Sequence, residues 1–186
     1  MVCVVAALRT ELLFVRSRPR LAVGTGPGAA ARLVAGWGKK SPEAVLVVGF
    51  SGATRAELPA GALILASRVQ GAGAAVDVPG GLLSAARAVV PWAASGPIQT
   101  VDQLAGPGEK ARLSLDALAV DMESAHLAGE LSRREIPFLV VRSVLDLLWE
   151  DVTTGPRARW AARALTCAAG LGRACRRLAP VMAGAR

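Results

Sequence analysis

The 186-residue chain contains no tyrosine, a single histidine and three cysteines, and aromatic residues make up only 4% of it. Each scarcity closes off a class of function. With so few rings there is little from which to build the stacking platforms that hold single-stranded nucleic acid. One histidine, His126, rules out a histidine metal cluster, and a Ser-His-Asp triad would have to run through that one residue. Lying on a helix behind an acidic segment, it reads as a satisfied core or surface histidine. Cys3, Cys167 and Cys175 match no metal-ligand spacing and form no disulfide framework. No metal and no organic cofactor is expected. The longest uncharged stretches, such as residues 88–101 between Arg87 and Asp102, fall short of the ~20 apolar residues of a membrane-spanning helix. The apolar start at 2–8 has neither a preceding positive charge nor a small-residue cleavage site, so it does not read as a signal peptide, and the expected compartment is the cytoplasm.

What is present is a 53% hydrophobic chain with 22 Lys+Arg against 14 Asp+Glu, a formal net charge of +8. The length predicts one compact domain spanning 1–186, large enough to bury a core. Nineteen of the basic residues are arginine, densest near the C-terminus at Arg157, Arg159, Arg163, Arg173, Arg176, Arg177 and Arg186. Such a set can bind phosphate backbones, but a solvated helix face is the favoured reading, so a nucleic-acid partner is not expected.

Short apolar runs alternate with helical stretches. Strands are expected at 2–8, 21–23, 44–50, 62–69, 97–101, 118–121 and 137–146. Helices are expected at 29–37, 82–90, 122–134 and 157–178, with a short helix or turn over 9–18. The Gly/Pro-rich stretches 72–81 and 105–108 read as surface loops, and a Lys-Lys-Ser-Pro turn follows Gly38. Alternating strands and helices argue for an α/β fold with a mainly parallel sheet.

In such sheets the ligand sits outside the carboxyl ends of the strands. That rule selects Glu11, the turn 24–28, Phe50, Ser51 and Gly52, then Asp102, Asp121 with Glu123, and Asp146. Five of the 14 carboxylates thus gather at one edge, whereas Glu109, Glu130 and Glu135 are expected on helix faces or in loops. The turn holding Gly24 and Gly26 either presents backbone N–H groups to an anion at a helix N-terminus or is a plain tight turn. It lacks the G-x-G-x-x-G dinucleotide spacing. Asp121 reads as a cap on the following helix. Glu123 can complement the helix dipole or reach into a pocket. Asp146 ends an apolar strand, where desolvation lifts a carboxyl pKa as a general acid requires, although an ordinary loop aspartate fits the same position.

Taken in order, the segments Ala6-Ala7-Leu8-Arg9-Thr10-Glu11, 24–31, 47–53 with Leu58-Pro59-Ala60-Gly61, Val120-Asp121-Met122-Glu123-Ser124 and 137–146 resemble the purine nucleoside phosphorylase and nucleosidase superfamily. The closest likeness is to its methylthioadenosine/S-adenosylhomocysteine nucleosidase-like branch. The Asp-Met-Glu-Ser variant also resembles the hopanoid-associated nucleoside-cleaving branch. The resemblance implies a single three-layer domain around a twisted, mainly parallel sheet, acting on a small-molecule nucleoside, with homo-oligomers common. It implies that Asp146 protonates the leaving purine, that Glu11 activates water, that Glu123 holds the ribose hydroxyls with Met122 against the sugar, and that Phe50, Ser51 and Gly52 line the pocket beside Asp102. Phosphorylase branches tend to carry an arginine before the loop after the third strand. Here that stretch reads Leu46-Val47-Val48-Gly49, so hydrolysis is favoured over phosphorolysis, with Gly24, Gly26 and Arg142 left as anion-contact candidates. Hydrolysis is also favoured over a non-catalytic nucleoside-binding protein of the same fold. Three departures stand out: Leu145 occupies a place where relatives usually have Ser or Thr beside the acid, the 102–104 loop lacks a stacking aromatic, and the chain is shorter than typical members, with the shortage between about Val69 and Pro97.

Overall fold

The computed structural model describes residues 1–17, 19–38, 40–71 and 73–185. Arg186 of the basic set, Arg18, Lys39 of the Lys-Lys-Ser-Pro turn and Ala72 at the head of the 72–81 loop therefore lie outside the described residues. The elements run β1 (Val2–Ala6), a 3-10 turn (Arg9–Leu12), β2 (Arg20–Ala22), α1 (Ala29–Trp37), β3 (Ala44–Ala53), β4 (Leu63–Gly71), β5 (Ala74–Asp77) and α2 (Gly80–Val89). Then follow β6 (Ala94–Thr100), α3 (Pro107–Leu113), β7 (Ala119–Asp121), α4 (Ser124–Arg133), β8 (Phe138–Asp146) and α5 (Arg157–Ala183).

β1, β3 and β8 are valine-rich and buried along nearly their whole length, because parallel strands covered on both faces carry continuous apolar runs rather than alternation. Among the described residues, five of the eight strand pairings are parallel: β1 with β2, β1 with β3, β3 with β8, β4 with β6 and β6 with β7. The rest, β3 with β7, β4 with β5 and β4 with β8, are antiparallel. The sheet expected from the sequence is mainly parallel, and so it is, but part of it closes on itself. β3, β8, β4, β6 and β7 pair successively and return to β3. The ten-residue β3 allows this: its register against β8 slips between Ser51 and Gly52, and beyond the slip Gly52 and Ala53 pair with β7. A bulge of this kind bends a strand and increases its twist.

Helices cover the sheet in two groups, α1 packing on α4 and α2 on α5, while α5 also spans β3, β8 and the 3-10 turn. α5 turns Cys167, Leu171, Cys175, Leu178 and Met182 inward, the three-and-four spacing of one helix face. Arg173, Arg176 and Arg177 lie exposed on its other side, and Arg177 sits 5.1 Å from the ring centroid of Trp92. These three arginines thus form a solvated face, while Arg163 of the same set is partly buried against Glu150. α5 runs to Ala183, past the expected end at 178 and through Pro180. Its last turn forgoes one N–H bond there.

Two elements escaped the sequence pattern. β5 forms within the 72–81 stretch because the edge of β4 supplies its partner. α3 forms where 105–108 reads as a loop, with Pro107 at its first position and Gly106 extended before it. No helix among the described residues is long and apolar enough to cross a membrane.

Candidate active site

A cavity of about 250 Å³ opens at the carboxyl ends of β1, β3, β6, β7 and β8. Its walls include Glu11, Phe50, Ser51, Gly52, Met122, Glu123 and Asp146. These residues, all picked from the sequence, therefore share one pocket with Asp121, and Leu8, Val101, Leu104, Ala105, Leu145 and Val152 supply an apolar side.

On one side of the cavity, burial concentrates charge. Arg142 is 1% exposed. Its Nε lies 2.7 Å from Asp121 Oδ2, its Nη2 lies 3.8 Å from Glu123 Oε2, and Nε and Nη2 both donate to Ser124 Oγ, at 3.1 and 2.7 Å. Burial works against its charge, but Asp121, Glu123 and Glu11 hold it protonated above the ordinary arginine range. Arg142 is not on the cavity wall; it lies behind the carboxylates. The cap residue of α4 is Glu123 rather than the expected Asp121, but Asp121, at the end of β7, still serves the helix start, accepting the backbone N–H of Glu123 and Ser124 at 3.3 and 3.1 Å and the Thr100 hydroxyl at 2.7 Å. Glu123 takes the pocket position. Its Oε1 accepts the Gly26 N–H at 3.3 Å, so the glycine turn already serves an anion that the chain itself provides. Gly24 is covered by the Arg32 side chain, which donates to the Val23 and Thr25 carbonyls.

Glu11 ends the first strand's loop in the 3-10 turn. Its Oε2 accepts the Leu8 N–H and its Oε1 the Phe50 N–H, each at 2.7 Å. Every carboxylate oxygen has two acceptor sites, so each keeps one for a ligand. Burial pushes the Glu11 pKa up, against the pull of Arg142 and the two amides and with a small addition from Glu123. Glu123 is raised as well, again chiefly by burial, with Arg142 opposing. Ser51 Oγ on the same wall is buried and has no hydrogen-bond partner among the described residues.

Across the cavity, Asp146 ends β8 beside Gly52. Burial lifts its pKa too, partly offset by Lys110, whose ammonium pairs with Oδ2. Lys110 is 1% exposed and comes from α3. It was not among the residues read from the sequence, because its helix was not. Two signals pointed to it: Pro107, a helix-start residue, and the rarity of lysine in this chain, three against 19 arginines.

Asp102 stands apart from the sequence expectation. Its side chain is 78% exposed, off the cavity wall, with Oδ1 4.0 Å from Nε2 of the largely buried His126. The wall beside it is made by Val101, Leu104 and Ala105 instead. Glu130, expected on a solvated face, is buried beneath Arg133 and Arg134, and hydrogen bonding from Arg134 leads the effects that lower its pKa.

No family model and no curated protein matches the chain. Its fold is nevertheless shared by solved structures. A 5′-methylthioadenosine/S-adenosylhomocysteine nucleosidase of Helicobacter pylori, solved with an aminopyrrolopyrimidine-substituted pyrrolidinol, is 16% identical, with a TM-score of 0.80 over 96% of this chain and 97% of that one. The futalosine hydrolase structure from the same organism gives the same figures. The Neisseria meningitidis nucleosidase in complex with methylthio-immucillin-A is 18% identical, with a TM-score of 0.80 over 96% and 97%. The chain therefore has the α/β fold of these nucleosidases, along essentially its whole length.

Proposed function

We propose that this protein hydrolyses the N-glycosidic bond of a purine nucleoside, with a 5′-modified adenosine of the methylthioadenosine or S-adenosylhomocysteine type as the leading substrate. The observation that carries the proposal is the pairing of Glu11 and Asp146, two buried carboxyls with raised pKa values on the wall of one cavity. Cleavage leaves positive charge on the sugar and negative charge on the departing base. Asp146 donates a proton to the base as the C–N bond breaks. Glu11 accepts a proton from the attacking water. Glu123 faces the ribose hydroxyls, and Ser51 Oγ has bonding capacity left for the ligand. The apolar side at Val101, Leu104, Leu145 and Val152 suits a flat base and a non-polar 5′ group.

Charge balance favours water over phosphate as the acceptor. Around the cavity stand the carboxylates of Glu11, Asp121 and Glu123, with Asp146 protonated as the acid, against Arg142 and Lys110. Both cations are committed to carboxyl groups, so a phosphate dianion would meet a surplus of negative charge, whereas an oxocarbenium-like sugar is stabilised by it. The fold neighbours whose structures contain adenosine-like inhibitors support the same substrate class.

The test is release of free base from methylthioadenosine, adenosylhomocysteine, adenosine, inosine and futalosine, with and without phosphate. Phosphate-independent release is expected, with Asp146→Asn lowering kcat by about 10²- to 10⁴-fold. A phosphate requirement would overturn hydrolysis, and binding of nucleosides without any release would overturn catalysis.

A further inference from the structure

We propose that Lys110 is the positioning residue for the acid of this reaction, fixing the Asp146 carboxyl against the departing base and joining it to the segment that follows β8. This rests on the nucleosidase reading above. An ammonium has three donors and no acceptor. In Lys110 all three are spent: one on Asp146 Oδ2, one on the Leu147 carbonyl at 3.0 Å and one on the Glu150 carbonyl at 2.7 Å. No donor is left for a ligand, so Lys110 acts through Asp146 rather than on substrate. The surroundings are built for it. A Cβ on Gly52 would stand 2.9 Å from Lys110 Cε and 3.0 Å from Asp146 Oδ2, so any side chain at this point of β3 would crowd the pair. The 147–150 turn is tied in return, with the Leu147 N–H donating to Glu150 Oε2 at 2.9 Å and Arg163 holding the Glu150 carboxylate and the Leu145 carbonyl.

The chemical consequence follows from where charge ends up. As the C–N electron pair passes to the base, the Asp146 proton passes to a ring nitrogen of that base, and the water that attacks the sugar gives its proton to Glu11. Asp146 is left as a carboxylate facing the Lys110 ammonium, so Lys110 stabilises the form of the acid that the reaction produces. The groups facing Asp146 are Lys110 from α3 and Glu150 from the segment after β8, and Asp151 in that segment also feels Lys110. Among the described residues, Lys110 is the cation that acts on Asp146. Its removal makes Asp146 hold its proton to higher pH.

Lys110→Met tests this through the pH profile of kcat with whichever nucleoside the wild type cleaves. The alkaline limb, where Asp146 loses its proton, is expected to move upward by about one pH unit or more. kcat is expected to fall about tenfold to a hundredfold as the carboxyl loses its fixed orientation, with KM changed much less. Lys110→Arg keeps the charge and should keep the limb near the wild-type position. Lys110→Gln removes charge while still reaching a carbonyl, and carries the same expectation should the methionine variant not fold. A folded, uncharged variant with an unmoved limb overturns the role of Lys110, whatever its kcat. Absence of base release by the wild-type protein instead overturns the nucleosidase reading itself.

Discussion

Two buried cations stand against two glycines of β3, and they are balanced in different ways. Arg142 lies beside Gly49 in the β3–β8 register, and Asp146 with Lys110 lies beside Gly52. A Cβ at Gly49 would collide with Arg142 Nη1 and come within 3.0 Å of Glu11 Oε1. Around Arg142 stand three carboxylates, those of Asp121, Glu123 and Glu11, whereas Lys110 faces one carboxylate and two carbonyls. The first cluster is a hub with more negative charge than it can neutralise, and the surplus faces the cavity as Glu11 and Glu123. The second is a closed pair whose single carboxyl meets the cavity. One side of the pocket is arranged to attract positive charge and to accept a proton, the other to give one.

The sharpest way to break this comparison is to remove each cation. Arg142→Met leaves three carboxylates buried with no counter-charge, and uncompensated buried charge costs about 3–5 kcal/mol. That is a large part of the roughly 5–15 kcal/mol that a domain of this kind has in total. Lys110→Met strands only one carboxyl at the edge of a cavity, where it can take up a proton, and should cost markedly less. Urea unfolding of both variants at neutral pH measures the difference. Equal losses would show that the two clusters are structurally equivalent and that the hub is not the keystone of the strand ends.

Smaller changes at the two glycines sharpen the same contrast. Gly49→Ala pushes on a guanidinium pinned by Asp121 and Ser124, and should lose about 2–3 kcal/mol of stability. Gly52→Ala pushes on the flexible stem of Lys110 and on Asp146, with about 1–2 kcal/mol expected in stability. Its main effect should appear in kcat, since a small displacement of a catalytic group is costly. Thermal unfolding read together with base release separates the two, and a Gly52→Ala protein with full kcat would contradict the placement of Asp146.

The two clusters also differ in how far the sequence discloses them. Arg142 interrupts the valine-rich run of β8, where a charge is conspicuous, and Asp121, Glu123 and Glu11 follow apolar strands, where the strand-end rule finds them. Even there the rule overreached at Asp102, because the residue after a strand can turn outward as easily as inward. Glycines 49 and 52 are legible as glycines, but their reason is not, since it lies in the register of β3 against a strand about 90 residues away. Lys110 was hidden because α3 spans only Pro107–Leu113 in a Gly/Pro-rich stretch, too short to show periodicity. The closure of the sheet was hidden for a similar reason: a bulge between Ser51 and Gly52 leaves no mark in a run that is apolar or small on both sides of it.

The surplus charge of the Arg142 hub has a last and smaller consequence, in the pH dependence of stability. Glu11, Glu123 and Asp146 all hold their protons more tightly folded than unfolded. Over the window that opens above the ordinary carboxyl values, 4.5 for Glu and 3.8 for Asp, the folded state therefore carries more protons than the unfolded one, and stability falls as pH rises. Glu130 and Glu150, paired with arginines, are lowered and act oppositely, losing their contribution as pH falls through their folded values. Glu123→Gln removes one of the groups with a raised pKa while keeping an oxygen to accept the Gly26 N–H. Its unfolding free energy, measured by urea titration at steps from pH 5 to 8, should decline less with pH than that of the wild type. A steeper decline would mean that Arg142 stabilises the Glu123 carboxylate more than burial penalises it, and that the hub carries no surplus charge toward the cavity.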